Sequence, residues 1–164
     1  MSATQPGRRI VMPVDSSSNC HRAFNWFLKY CYRENDFIIF IHVLQPKYTH
    51  GNAVIALDNL INIPVQDGSV SVDDGQRVEA KFRKLAEQAG VNYTIEILAD
   101  SSIAEAILRL ASEHGANLII VGSRGVGAVR RATLGSVSHH LVTHASVPVL
   151  VVPPAASNRP STSA

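Results

Sequence analysis

Five short apolar runs divide this chain, and a polar or helix-patterned segment separates each run from the next. Short continuous apolar runs are typical of strands that are buried on both faces of a parallel sheet. The predicted strands are Arg9–Val14, Asp36–Leu44, Val91–Leu98, Asn117–Val121 and Pro148–Val152. The third run alternates between apolar and polar residues, so we expect one of its faces to be wetter.

Four segments between these runs carry apolar residues at the three- and four-residue spacing of amphipathic helices. They are Cys20–Arg33, Asp73–Ala89, a segment that opens at Ser102 and ends near Gly115, and Ser136 to about Thr143. Gly90 is the predicted stop of the second helix, and Ser102 with Glu105 fits a capping box. Strict alternation of strands and helices predicts an α/β fold: a doubly wound, parallel five-stranded sheet in three α/β/α layers.

The length of 164 residues suits one domain with additional residues at both ends. We expect residues 1–8 to be a disordered lead, 9–153 to be a single domain, and the Ser/Pro-rich residues 154–164 to be a flexible tail. Residues 45–71 lack sustained periodicity and are interpreted as a long variable connection with a short helix around 53–60. Connections of that length tend to be functional or mobile.

The predicted winding of the sheet also indicates where a ligand would bind. In doubly wound sheets, ligands bind beyond the carboxyl ends of the strands, at the point where the winding direction reverses. Three groups fall at such ends: Pro13-Val14-Asp15, His42-Val43-Leu44, and the residues from Gly122 onward. The sequence therefore predicts a site that is assembled from distant parts of the chain, with His42 as a lining or packed residue.

A glycine-rich loop follows the fourth predicted strand and ends at a helix start. Such loops bring backbone N–H groups close to an anion, and the helix N-terminus adds partial positive charge. The loop lacks the lysine of a Walker A motif, because Ala128 follows Gly127, and it lacks the third glycine of a dinucleotide fingerprint. The spacing that does hold is Gly122-x2-Gly125-x9-Gly135-Ser136.

With this spacing the chain resembles the universal stress proteins of the ATP-binding kind, over nearly the whole length from Arg9 to Val152. The opening strand followed by Asp15 and a serine-rich turn matches that family, and so does the closing run 147–152. The resemblance implies a Rossmann-like, adenine nucleotide α-hydrolase-like fold that binds ATP, ADP or AMP, with Mg²⁺ as a possible companion. It also implies a role in the stress response.

The resemblance further implies a role for each matching residue. Asp15 would accept hydrogen bonds from ribose hydroxyls, Pro13 and Val14 would wall the nucleoside, and Val43 would contact adenine. The residues expected around the ribose and phosphates are Gly122, Ser123, Arg124, Gly125, Gly135, Ser136, Val137 and Ser138. Asp15 has an alternative role as the N-cap of the first helix. Arg130 and Arg131 either neutralise phosphate or are solvated.

Composition limits the other classes of function. The net charge is +2, but no Asp or Glu follows Glu113, so the last third of the chain is basic. That balance suits a small anionic ligand better than nucleic acid, which would need a broader basic surface, so we expect no nucleic acid partner. No apolar run approaches the ~20 residues of a membrane span, so we expect no membrane partner either. The polar start has no signal-peptide core. Cys20 and Cys31 are too far apart along a helix for a disulfide. These features favour the cytoplasm.

Enzyme alternatives fit the residues less well. A serine hydrolase elbow needs G-x-S-x-G and a later acid, but Val121 occupies the first glycine position and no acid follows Ser123. The motifs of nucleotidyl transferases are absent. ATP hydrolysis would depend on Mg²⁺ and on Asp15 or Asp100. We therefore expect binding with slow, partner-dependent or no turnover, and no catalytic residue is assigned. The rival class is a flavin- or AMP-binding module related to electron-transfer flavoproteins.

Two further expectations concern metals and assembly. His139, His140 and His144 suggest a metal site, but no acid or cysteine lies near them in the sequence, so metal binding is disfavoured. The last strand, 148–152, is apolar and is expected at a sheet edge, where an exposed strand invites pairing. The family resemblance implies a homodimer through that strand. The downstream protein that would recognise the bound state is unknown.

Overall fold

The computed structural model describes residues 7–45, 72–124 and 134–154. Within these ranges strands and helices alternate as the sequence predicts. The strands are β1 Arg9–Pro13, β2 Phe37–Leu44, β3 Asn92–Ala99, β4 Leu118–Gly122 and β5 Val149–Val152. The helices are α1 Ser18–Tyr30, α2 Val72–Ala89, α3 Ile103–Glu113 and α4 Ser136–His144. Predictions for the segment 46–71, including the helix at 53–60, and for Gly125, Arg130 and Arg131 lie outside the described residues.

The strands form one parallel sheet in the order β3-β2-β1-β4-β5, which confirms the predicted architecture. Chain order runs outward from β1 in both directions, so the winding reverses between β1 and β4. Val11 at the middle of the sheet pairs with Ile39 of β2 and Ile119 of β4. The edges are β3 and β5, as predicted for the last strand.

Two apolar clusters cover the two faces of the sheet, because successive strand residues point to opposite sides. One cluster contains Met12 of β1 and packs against α1 and α2, where the rings of Phe24 and Phe40 meet edge to face at 5.4 Å. The other contains Val11 and packs against α3 and α4. Each fully buried large side chain contributes about 1.5–3 kcal/mol, so these layers hold the strand ends in place.

Two helices are followed by glycines that adopt the conformation typical of a helix end, whereas a capping box that the sequence predicts does not form. Gly90 and Gly115 have φ of 66° and 59°, the left-handed conformation that glycine adopts freely after a helix. The capping box predicted at Ser102 is wrong: Ser102 precedes α3, but its side chain makes no capping hydrogen bond. Instead its N–H donates to Asp100 Oδ1 at 2.9 Å, and Glu105 reaches His140 on α4.

An ion pair between Arg8 and the buried Asp36 lies at the amino ends of β1 and β2, opposite the candidate ligand edge. Asp36 is 1% exposed, accepts two hydrogen bonds from the Arg8 guanidinium at 2.6 and 2.9 Å, and accepts the N–H of Arg33. Arg8 therefore belongs to the folded part, one residue before the predicted start. Helix α1 ends at Tyr30, earlier than predicted, and Arg33 lies in the following turn, where its N–H donates to Asp36. Within the described ranges, no helix is long and apolar enough to cross a membrane.

Candidate functional site

The reversal of winding brings together the carboxyl ends of β1 and β4 and the first turns of α1 and α4. Asp15 follows β1, and Ser123 follows β4. The main candidate residues predicted from the sequence lie at these two points, and the sheet order makes the two strands neighbours. The neighbouring end of β2 is joined to the same edge, because the N–H of Val14 donates to the Ile41 carbonyl at 2.8 Å.

Asp15 organises the turn that leads into α1. Its Oδ1 accepts the backbone N–H of Ser17 at 2.8 Å and the thiol of Cys20 at 3.1 Å. Ser17 is the residue before the helix, and its own side chain makes no capping hydrogen bond. The carboxylate thus supports the helix start from two residues upstream, which is related to the N-cap role considered for it.

Cys20 is a site residue that sequence reasoning missed, because a cysteine in a helix is usually only packed. It is buried, and burial first, then the charge of Asp15, raises the pKa of its thiol to about 12. The thiol therefore stays protonated and donates. Its position in the first turn of α1, which faces the preceding loop, is the sequence feature that could have indicated a contact with Asp15.

The first turn of α4 is tied to the end of β4 through one carbonyl. The backbone carbonyl oxygen of Ser123 accepts a hydrogen bond from the N–H of Gly135 at 2.7 Å and another from the hydroxyl of Ser138 at 3.0 Å. Backbone N–H groups in a first helical turn have no acceptor within their own helix, so they form a ready anion site. The Ser138 hydroxyl also lies 3.0 Å from the Gly135 carbonyl, so its proton is committed to backbone carbonyls and its main-chain N–H is what it offers a ligand.

The two described motif glycines provide space and not an unusual backbone conformation, since neither has a positive φ. A Cβ on Gly122 would lie 3.3 Å from the backbone C and O of Asn19, in the first turn of α1. A Cβ on Gly135 would lie 3.4 Å from the Ser123 oxygen and 3.6 Å from the Ser138 hydroxyl. Gly122 therefore allows α1 to approach the sheet. Gly135 leaves open the space between the Ser123 carbonyl and the first turn of α4, which we call the cradle.

Two buried polar atoms near these strand ends have no hydrogen-bond partner within the described part of the chain: His42 Nε2 and Ser123 Oγ. The other ring nitrogen of His42 lies 2.8 Å from the Val14 carbonyl, so it donates. His42 is 6% exposed and packed, as expected. Ser123 is 7% exposed, and a buried hydroxyl without a partner is costly unless a ligand or water supplies one.

The apolar candidates do not all lie together. Pro13 is buried at the end of β1. The Val14 side chain belongs to the cluster under α1 and α2, whereas that of Val43 belongs to the cluster under α3 and α4. Their side chains thus lie on opposite faces of the sheet. Arg124 is half-buried just beyond Ser123, Val137 is half-buried, and Ser136 is exposed.

Asp100, the second carboxylate considered for chemistry, is not brought to Asp15. It follows β3, and β2 lies between β3 and β1. The Ser102 N–H and then the Arg109 guanidinium, at 3.1 Å, hold the pKa of Asp100 below its usual value. Of these two carboxylates, only Asp15 stands at the point where the winding reverses.

The histidines of α4 do acquire an acidic neighbour that the sequence did not reveal. His140 Nε2 lies 2.7 Å from the Glu105 carboxylate of α3, and its ring stacks on His144 at 4.0 Å. These contacts join two helices on the surface. Among the residues that the structure describes, no group of three or more His, Cys, Asp or Glu side chains is arranged to hold a metal ion.

Comparison with known proteins decides the family. The sequence profile described as "Universal stress protein family" matches residues 7–153. The chain belongs to the universal stress protein family. A universal stress protein of Mycolicibacterium smegmatis is 30% identical over 151 residues, which cover 92% of this chain and 49% of the relative. The chain thus spans about half the length of that relative, and 64% of the length of universal stress protein PHOS32 of Arabidopsis thaliana.

Solved universal stress protein structures share the fold. One from Arabidopsis thaliana with AMP bound has a TM-score of 0.63 at 22% identity and covers 94% of this chain and 97% of its own. Another, in complex with cAMP, has a TM-score of 0.63 at 19% identity and covers 90% and 98%. At such identities the likeness establishes the Rossmann-like α/β architecture. The ligands named are those of the other proteins.

Proposed function

We propose that this universal stress protein is an ATP-binding regulatory protein of the stress response, which holds an adenine nucleotide where β1 and β4 meet. The observation that supports it best is the joint made by the Ser123 carbonyl with Gly135 and Ser138. This joint sets the N-terminus of α4 beside the strand end. The AMP and cAMP bound by the two fold relatives are consistent with an adenine nucleotide in this chain.

Each part of the site would recognise a different part of the nucleotide. The Asp15 carboxylate would accept ribose hydroxyls. The phosphates would lie against the N–H groups of the α4 start, where the helix dipole favours negative charge. Backbone groups of Pro13, Val14 and Val43 would line the nucleoside end, because the two valine side chains are buried on opposite faces of the sheet. The ribose and phosphate end would be lined by Gly122, Ser123, Arg124 and Gly125. The Ser123 hydroxyl, which has no hydrogen-bond partner among the described residues, would then gain a phosphate or water as its partner.

The same residues favour holding the nucleotide over consuming it. Phosphoryl transfer needs Mg²⁺ held by oxygen ligands and a positioned nucleophile. Asp15 could supply one such ligand, but its Oδ1 is already engaged by Ser17 and Cys20. The sequence also lacks the Walker lysine. We therefore expect turnover far below the ~10 per second of a typical enzyme.

A thermal-shift titration tests the binding proposal. ATP, ADP, AMP, cAMP, GTP and FMN are each added to the purified chain, with and without Mg²⁺. A ligand at ~100 times its Kd adds ~2.7 kcal/mol of apparent stability, or roughly 5–11 °C in a domain of this size. Adenine nucleotides should give the largest shifts. If none of the six compounds raises the melting temperature, the proposal is wrong; if FMN alone does, the flavin alternative is right.

We also propose that the chain is a cytoplasmic homodimer that pairs through β5 and signals to a downstream protein. The Pro148 carbonyl accepts the N–H of Ile119 in β4, and the Val152 carbonyl accepts that of Ser123 just after β4, so the backbone groups of Val149 and Val151 face the open edge. Val151→Pro removes one outward donor without breaking that ladder. Sedimentation should show a dimer for the wild type at micromolar concentration and a monomer for the variant. A wild-type monomer would contradict the proposal.

A further inference from the structure

The Cys20 thiol makes a hydrogen bond to the Asp15 carboxylate in addition to its apolar packing. Its Sγ lies 3.1 Å from Asp15 Oδ1, well within hydrogen-bond range for sulfur, and 3.8 Å from the Pro13 carbonyl. The Ser17 hydroxyl lies 3.6 Å away on the other side. The sulfur therefore sits among polar groups of the β1–α1 turn and not inside the apolar cluster alone.

The surroundings of the thiol keep it in its donating form. Cys20 is 6% exposed, so ionisation would bury a charge, and the Asp15 carboxylate 3.1 Å away opposes a second negative charge. Both effects raise the pKa of the thiol, to about 12. Near neutral pH the S–H proton is therefore present and directed at a carboxylate oxygen.

The bond connects a loop residue to a rigid helix. Asp15 lies in the turn after β1, whereas Cys20 is in α1, which is anchored by buried residues such as Phe24 and Phe27. The Ser17 N–H, which also donates to Asp15 Oδ1, belongs to the same turn as Asp15. The thiol is thus a contact that ties the carboxylate to the body of the helix.

We propose that Cys20 is a positioning residue for nucleotide binding: its thiol holds the Asp15 carboxylate in the orientation that accepts the ribose hydroxyls. This inference rests on the proposed function, since it assigns Cys20 a part in the same site. A positioning role predicts that loss of the thiol weakens only those ligands that use Asp15. A purely structural role predicts equal weakening for every ligand.

The test compares two ligands and a set of matched variants by isothermal titration calorimetry on the full chain. The ligands are ATP and 2′,3′-dideoxy-ATP, which lacks both ribose hydroxyls. The variants are Cys20→Ala, Cys20→Ser, Asp15→Ala and the Cys20→Ala/Asp15→Ala double variant, with Cys31→Ala as the control at the other free cysteine. Melting temperatures without ligand report folding, and Cys20→Val replaces the alanine variant if that variant does not fold.

We expect Cys20→Ala to weaken ATP binding roughly three- to tenfold, the scale of one typical hydrogen bond, and dideoxy-ATP binding less than twofold. Cys20→Ser keeps a donor and should restore ATP affinity to within about twofold. In the Asp15→Ala background, the Cys20 change should have no further effect. Cys31→Ala should bind both ligands as the wild type does.

Four results would overturn the inference, and they separate it from the proposed function. Equal losses for ATP and dideoxy-ATP, or a Cys20→Ala effect that persists beside Asp15→Ala, refute the role of Cys20 while nucleotide binding stands. Normal ATP binding by Asp15→Ala refutes the role of Asp15 and that of Cys20 with it. A wild-type chain that binds no adenine nucleotide refutes the proposed function itself.

Discussion

Substitution by alanine should affect stability at Gly122 and nucleotide binding at Gly135. In Gly122→Ala the added methyl meets three atoms of Asn19 at 3.3 Å, and two of them are backbone atoms that cannot rotate away. In Gly135→Ala the nearest atom lies at 3.4 Å and the others at 3.5 and 3.6 Å, which is ordinary contact. The first substitution should therefore strain the fold, and the second should mainly fill the cradle.

The sizes of these effects follow from the contacts. Overpacking costs about 1–3 kcal/mol, and replacing glycine in an extended strand returns about 0.4–1 kcal/mol by restricting the unfolded chain. These figures leave a loss of about 0–2.6 kcal/mol of unfolding free energy for Gly122→Ala, with a midpoint of about 1.3 kcal/mol, or roughly 3–5 °C in melting temperature. Gly135 has φ of −63° and ψ of 162°, which alanine adopts without strain, so its loss should stay within about 1 kcal/mol, from poorer capping.

The assay has two readouts: urea unfolding without ligand, and ATP titration of each folded variant. Gly135→Ala should unfold almost like the wild type yet bind ATP at least tenfold more weakly, because its methyl occupies the space between the strand end and the α4 start. Gly122→Ala should lose stability first. If Gly122→Ala is as stable as the wild type, then α1 does not press on β4 as described; if Gly135→Ala binds ATP normally, the cradle is not the phosphate site.

Three further predictions concern charged and thiol groups. Asp36→Ala leaves a half-buried arginine without its carboxylate and should cost ~3 kcal/mol in urea unfolding; an unchanged midpoint would contradict the ion pair's importance. The Ser102 N–H lowers the pKa of Asp100, so its stabilisation is present above pH 3.8 and lost as the pH falls through the folded pKa; Asp100→Asn should flatten that acid limb of melting temperature, and an unchanged limb would refute this. A thiol reagent at pH 8 should modify Cys31 and spare Cys20, and mass spectrometry showing rapid double labelling would refute the burial of Cys20.

The order of elements, and the sheet edge at which the candidate site residues stand, could be predicted from the sequence because both depend on local patterns. Apolar runs of strand length, separated by helical periodicity, predict a parallel sheet, and the sheet order confirms it. The carboxyl ends of all strands lie at one edge of a parallel sheet, so Asp15 and Ser123 could be assigned to that edge before any coordinates, whereas the observed order makes β1 and β4 neighbours. Element ends were harder, since the capping box at Ser102 also required Glu105, whose side chain contacts His140 of α4 instead.

Contacts between distant residues were decided only by the tertiary structure. Whether Gly122 gives room to a ligand or to a helix depends on how closely α1 packs, and that packing places Asn19 against it. The acidic partner of His140 comes from α3, far away in the sequence. The hydrogen bond from the Cys20 thiol to Asp15 exists because the first turn of α1 folds back over the end of β1. A sequence pattern specifies which face a residue takes, but the partner it meets there is set by the packing of whole elements.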